Sequence, residues 1–243
     1  MTYAFDHLVV MARDRMDKVS GKFQDLGFCL TETSKHNLGS SNRLIVLDDS
    51  YIEILGWEFG TVPQRKEIAE LPYGLEALVF RTSNADECYE NLNALGFMPN
   101  PVQDLSRDIS LNGAIKKALF KTVRFDRQPI DGLRMYFCQH LTPEYVWIPA
   151  DMRHTNQLDH LREITLLSAN PQNTTMMLKK LLQMTSTEDQ DGHSREADVL
   201  NLGNCLLKIR NGHATSLPAV EQCVVESKAN ATFLTIDQSY LRY

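Results

Sequence analysis

The side chains able to do chemistry fall in a few short stretches of the 243-residue chain. Glu53 stands in Tyr51-Ile52-Glu53-Ile54-Leu55. Period-two alternation puts Tyr51, Glu53 and Leu55 on one face of a strand, and Ile52 and Ile54 on the other. If Ile52 and Ile54 pack against a helix layer, Glu53 faces inward, where a carboxylate is costly to bury unless it is paired or ligates a metal. The plain alternative is a strand with a solvated face. His7 follows Asp6 at the head of an apolar strand, either as a functional imidazole or as a ring held by a backbone carbonyl. Cys138 and His140 lie two apart on a strand-like run and share a face. They are formally a nucleophile and a base, but nothing marks an oxyanion hole or a third orienting group. His36 and Asn42 flank the turn Gly39-Ser40-Ser41, where polar side chains ordinarily hold the backbone. Arg43, Arg81, Arg124 and Arg134 lie in or beside strand-like runs, and any that faces inward suits bidentate binding of a carboxylate. Most arginines are solvated, so none is assigned a catalytic part. His154, His160, His193 and His213 fall in or beside loop-like stretches with no supporting pattern. There is no P-loop, no Rossmann glycine fingerprint, no HExxH and no EF-hand spacing.

The elements that position these residues repeat. His7 to Asp14, Ala77 to Asn84 and Glu163 to Asn170 each open as an apolar strand and end on a short polar side chain suited to capping a helix. The first two helices stop at Leu26-Gly27-Phe28 and Leu95-Gly96-Phe97, where the glycine suits a left-handed C-cap. Further strands are predicted at Phe28 to Thr33, Asn42 to Leu47 and Tyr51 to Leu55, with a hairpin turn at Asp48-Asp49. In the second unit they are predicted near Phe97, at Ala118 to Phe125 and at Leu133 to Cys138. In the third they fall near Ala197 to Leu202, Cys205 to Ile209, Gln222 to Ser227 and Thr232 to Asp237. The fold class is therefore α+β, with βαβββ units at 1–60 and 74–148 and a looser third unit at 159–243, all in one compact assembly. The polar stretch Ser186 to Arg195 is predicted as a loop.

Composition narrows the function classes. The chain is 43% apolar and 23% charged, ordinary for a globular protein, with a net charge of 25 − 31 = −6 that argues against general nucleic-acid binding. Five cysteines without a CxxC pair read as reduced thiols in a cytoplasmic chain. The N-terminus lacks the pattern of a secretory signal, and no apolar run is long enough to cross a membrane.

The ordered set Asp6-His7-Leu8-Val9, His36 with Gly39-Ser40-Ser41-Asn42, and Tyr51-Ile52-Glu53-Ile54-Leu55 resembles the glyoxalase-like domain proteins of the vicinal oxygen chelate superfamily. The resemblance covers the first 60 residues by motif and the later repeats by pattern. It implies paired units whose sheets curl into a cup, with metal ligands on the first and last strands of a unit. Carried over by position, these are His7 and Glu53, a set that suits Zn, Fe(II), Mn or Ni. The second unit has Ala77 at the position of His7, so a third ligand would come from His140 or from Glu163. The resemblance also implies His36 and His140 as candidate bases and Asn42 as a substrate contact.

The expectation is a small-molecule enzyme of isomerase, lyase or dioxygenase type, in which a divalent metal chelates vicinal substrate oxygens. A metal-free protein that binds a small molecule in the same cup is the rival, favoured by Ala77. A third possibility is an interaction scaffold whose third unit forms a homodimer interface. Neither nucleic acid nor membrane is expected as a partner.

Overall fold

The computed structural model describes residues 3–61, 63, 66–184, 197–212 and 218–242. The first unit comprises β1 (Ala4–Arg13), α1 (Met16–Asp25), β2 (Ser34–Lys35), β3 (Ser41–Val46) and β4 (Tyr51–Gly56). The short α2 (Lys66–Ala69) leads into the second: β5 (Gly74–Arg81), α3 (Ala85–Ala94), β6 (Gln103–Leu111), β7 (Ala114–Val123) and β8 (Arg134–His140). The third holds β9 (His160–Ser168), α4 (Pro171–Leu181), β10 (Ala197–Asn201), β11 (Leu206–Asn211), β12 (Ala219–Glu226), β13 (Phe233–Asp237) and α5 (Gln238–Arg242). The fold is α+β with mixed sheets, as the repeat predicts.

The first two units build one eight-stranded sheet in the order β2-β3-β4-β1-β5-β8-β7-β6. Within each unit the first and last strands pair in parallel, and β1 joins β5 antiparallel. An isolated antiparallel bridge between His36 and Arg107 draws the β2 and β6 edges together, so the sheet curls into a nearly closed barrel. The cup is thus made by the first two units of one chain.

The third unit forms its own five-stranded sheet, β10-β11-β9-β12-β13. Here β9 pairs in parallel with β11, the third strand of the unit rather than its last. The hairpin of β12 and β13 occupies the opposite side of β9. The unit is therefore βαββ with an added hairpin.

Alternation sorts the apolar residues into two sets. Val9, Met11, Leu44, Val46, Ala77, Val79 and Phe120 pack inside the barrel. Leu8, Val10, Ile52, Ile54, Leu78 and Phe80 face outward, into one core shared with Phe23, Leu92, Leu178 and the second-sheet residues Ile164, Leu166 and Ile209. Burying each large side chain of this core contributes about 1.5–3 kcal/mol relative to exposure.

Local predictions divide. Asn84 and Asn170 cap α3 and α4 by accepting backbone N–H groups, as expected. Asp14 does not cap α1, because Arg15 holds the cap position and Asp14 instead accepts a 2.7 Å bond from the Tyr73 hydroxyl. Gly27 and Gly96 have φ of 85° and 83°, the left-handed C-caps read from the sequence. No strand runs from Phe28 to Thr33; pairing begins only at Ser34. The segment near Phe97 is likewise a loop, and the missed strand is β6, whose sequence QDLSRDISL is too polar to register as one. Its hairpin partner β7 follows across Asn112-Gly113, both at positive φ (52° and 75°), as a tight primed turn requires. The predicted loop Ser186 to Arg195 lies outside the described residues, as do His193 and His213.

Candidate active site in the barrel lumen

One end of the barrel interior is polar. His7, His36, Asn42, Glu53, Arg107, Arg124, Arg134 and Tyr136 line it beside Leu44, Leu55 and Phe120, around about 30 Å³ of space for the centres of water-sized molecules. Only a small ligand fits without side-chain movement.

His7 projects inward from β1. Its Nδ1 lies 2.7 Å from Asp6 Oδ2, so that nitrogen carries the proton and Nε2 presents a lone pair. The Tyr136 hydroxyl donates to Nε2 at 3.1 Å, and Tyr51 stacks on the ring at 4.3 Å. His36 is held by the turn after β2. Its Nδ1 meets Ser40 Oγ at 2.9 Å, and its Nε2 lies 3.3 Å from Asn42 Nδ2. Both imidazoles therefore aim Nε2 at one carboxylate, with Glu53 Oε2 3.6 Å from His7 and Oε1 3.8 Å from His36. Asn42 Nδ2 also donates to Glu53 Oε1 at 2.7 Å. Burial alone would push the Glu53 carboxyl up; His7, His36 and the Asn42 hydrogen bond more than offset it, and Glu53 is held below its ordinary range as an anion. The opposite wall is cationic. Arg134 is paired with Glu76 at 2.6 Å, and Arg107 donates to Ser34 Oγ at 3.1 Å. Burial pushes the Tyr136 phenol far above its ordinary value, so it keeps its proton.

His7, His36, Asn42 and Glu53, the four candidates of the first unit, thus come together around one lumen. His140 does not join them. Its Nε2 is engaged by both Asp6 oxygens at 3.0 and 2.9 Å, and it is not among the residues that line the lumen. Glu163 is also elsewhere: it lies on β9 in the second sheet, with its carboxylate 2.6 Å from Lys208 Nζ, and the third ligand expected from it is not available. Sequence reasoning missed Asp6, Arg107 and Tyr136. Arg107 sits in the unrecognised strand β6, and Tyr136 alternates inward with Arg134 and Cys138 along β8, a pattern the sequence does carry.

His7 Nε2 and Glu53 Oε2 are close enough to share a divalent ion. Ligand atoms about 2.0–2.2 Å from a common metal lie no more than about 4.4 Å apart, and both histidine-to-Glu53 separations fall within that. Each ring also has its far nitrogen tied, the outer arrangement that orients metal-binding histidines. Among the described residues, the one set of three possible ligand atoms lying within 4.8 Å of one another is Asp6, Cys138 and His140, which does not include His7, His36 or Glu53. Its chemistry is less suitable. Asp6 already serves His7, His140 and Arg81, and burial pushes the Cys138 thiol well above its ordinary value, whereas a metal needs the thiolate.

The family model described as a glyoxalase-like domain matches residues 5–182. The chain belongs to the glyoxalase-like domain family. The match spans the barrel and extends through α4. Solved structures share the glyoxalase-like fold. A hypothetical protein from Staphylococcus aureus is 15% identical with a TM-score of 0.74, over 96% of this chain and 98% of that one. A mutant of 4-hydroxymandelate synthase from Streptomyces coelicolor is 15% identical with a TM-score of 0.54, over 91% and 70%. A fusion of a xylose isomerase-like TIM barrel with 4-hydroxyphenylpyruvate dioxygenase aligns at 15% identity and a TM-score of 0.51, over 92% of this chain and 37% of that one. No curated protein sequence matches.

Proposed function

We propose that this glyoxalase-like chain is a small-molecule enzyme of isomerase, lyase or dioxygenase type, with His7 and Glu53 holding a divalent metal in the barrel lumen. The observation that carries this reading is the convergence of two oriented Nε2 atoms on the single buried carboxylate of Glu53. When bound, the metal supplies Lewis acidity toward two neighbouring substrate oxygens. The chain's own residues do the rest. Asp6 fixes the His7 ring so that Nε2 faces the lumen. His36 is the base: Ser40 holds its ring, and its Nε2 accepts the proton that leaves the substrate. Asn42 orients substrate, and the Tyr136 hydroxyl, which donates to His7 Nε2 in this structure, would be released to donate to substrate when a metal takes that nitrogen. Leu44, Leu55 and Phe120 exclude water. A cytoplasmic setting belongs to the same reading and is supported by the five free cysteines. Among the described residues no helix is long and apolar enough to cross a membrane.

Metal content tests the proposal. Elemental analysis should find near-stoichiometric metal in the wild type and its loss in both His7→Ala and Glu53→Gln. A wild type that takes up none after incubation with Zn, Mn, Ni or anaerobic Fe(II) would sink the metalloenzyme reading. The rival, a metal-free binding protein, is favoured by one observation: the Tyr136 hydroxyl already occupies His7 Nε2 at 3.1 Å. It predicts ligand-induced thermal stabilisation without metal or turnover.

A further inference from the structure

Arg107 is 3% exposed and lines the lumen. It stands on β6 directly across the barrel seam from His36, by the bridge that joins the two edges. Its guanidinium makes one hydrogen bond among the described residues, to the neutral Ser34 hydroxyl. It feels the charges of Glu53 and Asp151, yet neither comes within the 4.0 Å of an ion pair. Arg134 on the same wall, by contrast, has Glu76 at 2.6 Å. A guanidinium buried without a carboxylate is costly, and a buried charge is normally paired.

The charge of the lumen points the same way. Arg134 is neutralised by Glu76, whereas the Arg107 charge faces the lumen with no carboxylate within ion-pair distance among the described residues. One small monoanion balances it. The fork of a guanidinium matches a planar carboxylate bidentately, and the narrow lumen favours a molecule of few atoms.

We infer that Arg107 is the anchor for a substrate carboxylate, so that the ligand class is a small monocarboxylic acid whose neighbouring oxygens face His7 and Glu53. This rests on the lumen being the substrate site, and it deepens that reading without depending on the metal.

Glycolate is the probe, with ethylene glycol as the neutral analogue and inorganic phosphate as the alternative anion. Titration calorimetry on the wild type, before and after chelator treatment, should show glycolate binding and no ethylene glycol binding. Arg107→Gln should weaken glycolate about 30-fold or more, the scale of removing one partner from a buried charge pair. Arg107→Lys, which keeps the charge but not the fork, should fall between. A crystal of the wild type with glycolate should show the carboxylate on Arg107, which keeps the test open if the variants fail to fold. Absence of glycolate binding, equal binding by Arg107→Gln, or binding of phosphate alone would overturn the inference. Metal loss in the His7 and Glu53 variants reports on the enzyme reading separately, so the two can fail independently.

Discussion

Asp6 and His7 are consecutive in the chain, yet the Asp6 carboxylate grips the His7 ring at 2.7 Å. Consecutive residues of a regular strand point to opposite faces. Here the β1–β5 register shifts between Phe5 and His7, and that bulge re-aims one side chain so that both can meet. Asp6 is fully buried and holds Arg81 at 2.6 Å and His140 at 2.9 Å as well. Burial would raise its carboxyl, but His140 and His7 reverse the effect and hold it well below its ordinary value. Asp6→Ala leaves three partners without their anion and should cost about 3–5 kcal/mol by urea unfolding. Asp6→Asn keeps the volume and releases the His7 tautomer; metal affinity should fall about 10–100-fold. Unchanged affinity would remove Asp6 from any role beyond stability.

Asn42 should matter through Glu53. Its Nδ2 gives the carboxylate a 2.7 Å hydrogen bond, while its Oδ1 is buried with no partner among the described residues. Asn42→Ala should destabilise the protein by about 1–3 kcal/mol, the penalty for a buried acceptor left short of a donor. Asn42→Asp should be worse, since it sets a second carboxylate against Glu53. If the two variants melt alike, charge at this site is not the reason for the amide.

His154 predicts an acid-sensitive step. Its Nδ1 accepts the Cys29 backbone N–H at 3.0 Å, and its Nε2 donates to the Val46 carbonyl at 3.0 Å. Burial lowers its pKa from the ordinary 6.5, so at mildly acid pH the unfolded chain binds a proton that the folded chain refuses. This contribution is complete above pH 6.5 and is lost as pH falls through the depressed folded value. The melting temperature, followed from pH 8 to 5, should drop more steeply below 6.5 in the wild type than in His154→Gln. Parallel curves would refute it.

Gly56 closes the pairing of β1 with β4. A Cβ there would run into the Arg13 carbonyl oxygen and the Met16 side chain, and the backbone atom cannot swing away. Gly56→Ala should therefore destabilise by about 1–3 kcal/mol or more. Gly21, whose added Cβ meets nothing within 4 Å, is the control, and Gly21→Ala in the middle of α1 should be neutral or stabilising.

Much of this was legible in the residues. Alternation in Tyr51-Ile52-Glu53-Ile54-Leu55 determined that Glu53 turns inward, because side-chain direction in a strand has period two. The repeated strand-helix openings and Gly27 and Gly96 determined the unit, because caps and left-handed turns are local chemistry. The rest was decided by non-local contacts. Glu163 matches His7 in the repeat, yet the third unit forms a separate sheet, and no local pattern records which units pair. His140 shares a strand face with Cys138, but the bulge at Asp6 claims its ring. Arg107 lies in a strand too polar to be recognised, and it gains its position only when the seam to His36 closes. Local propensity fixes the elements, whereas the site depends on register and closure, which join residues as far apart in the chain as His7 and Tyr136.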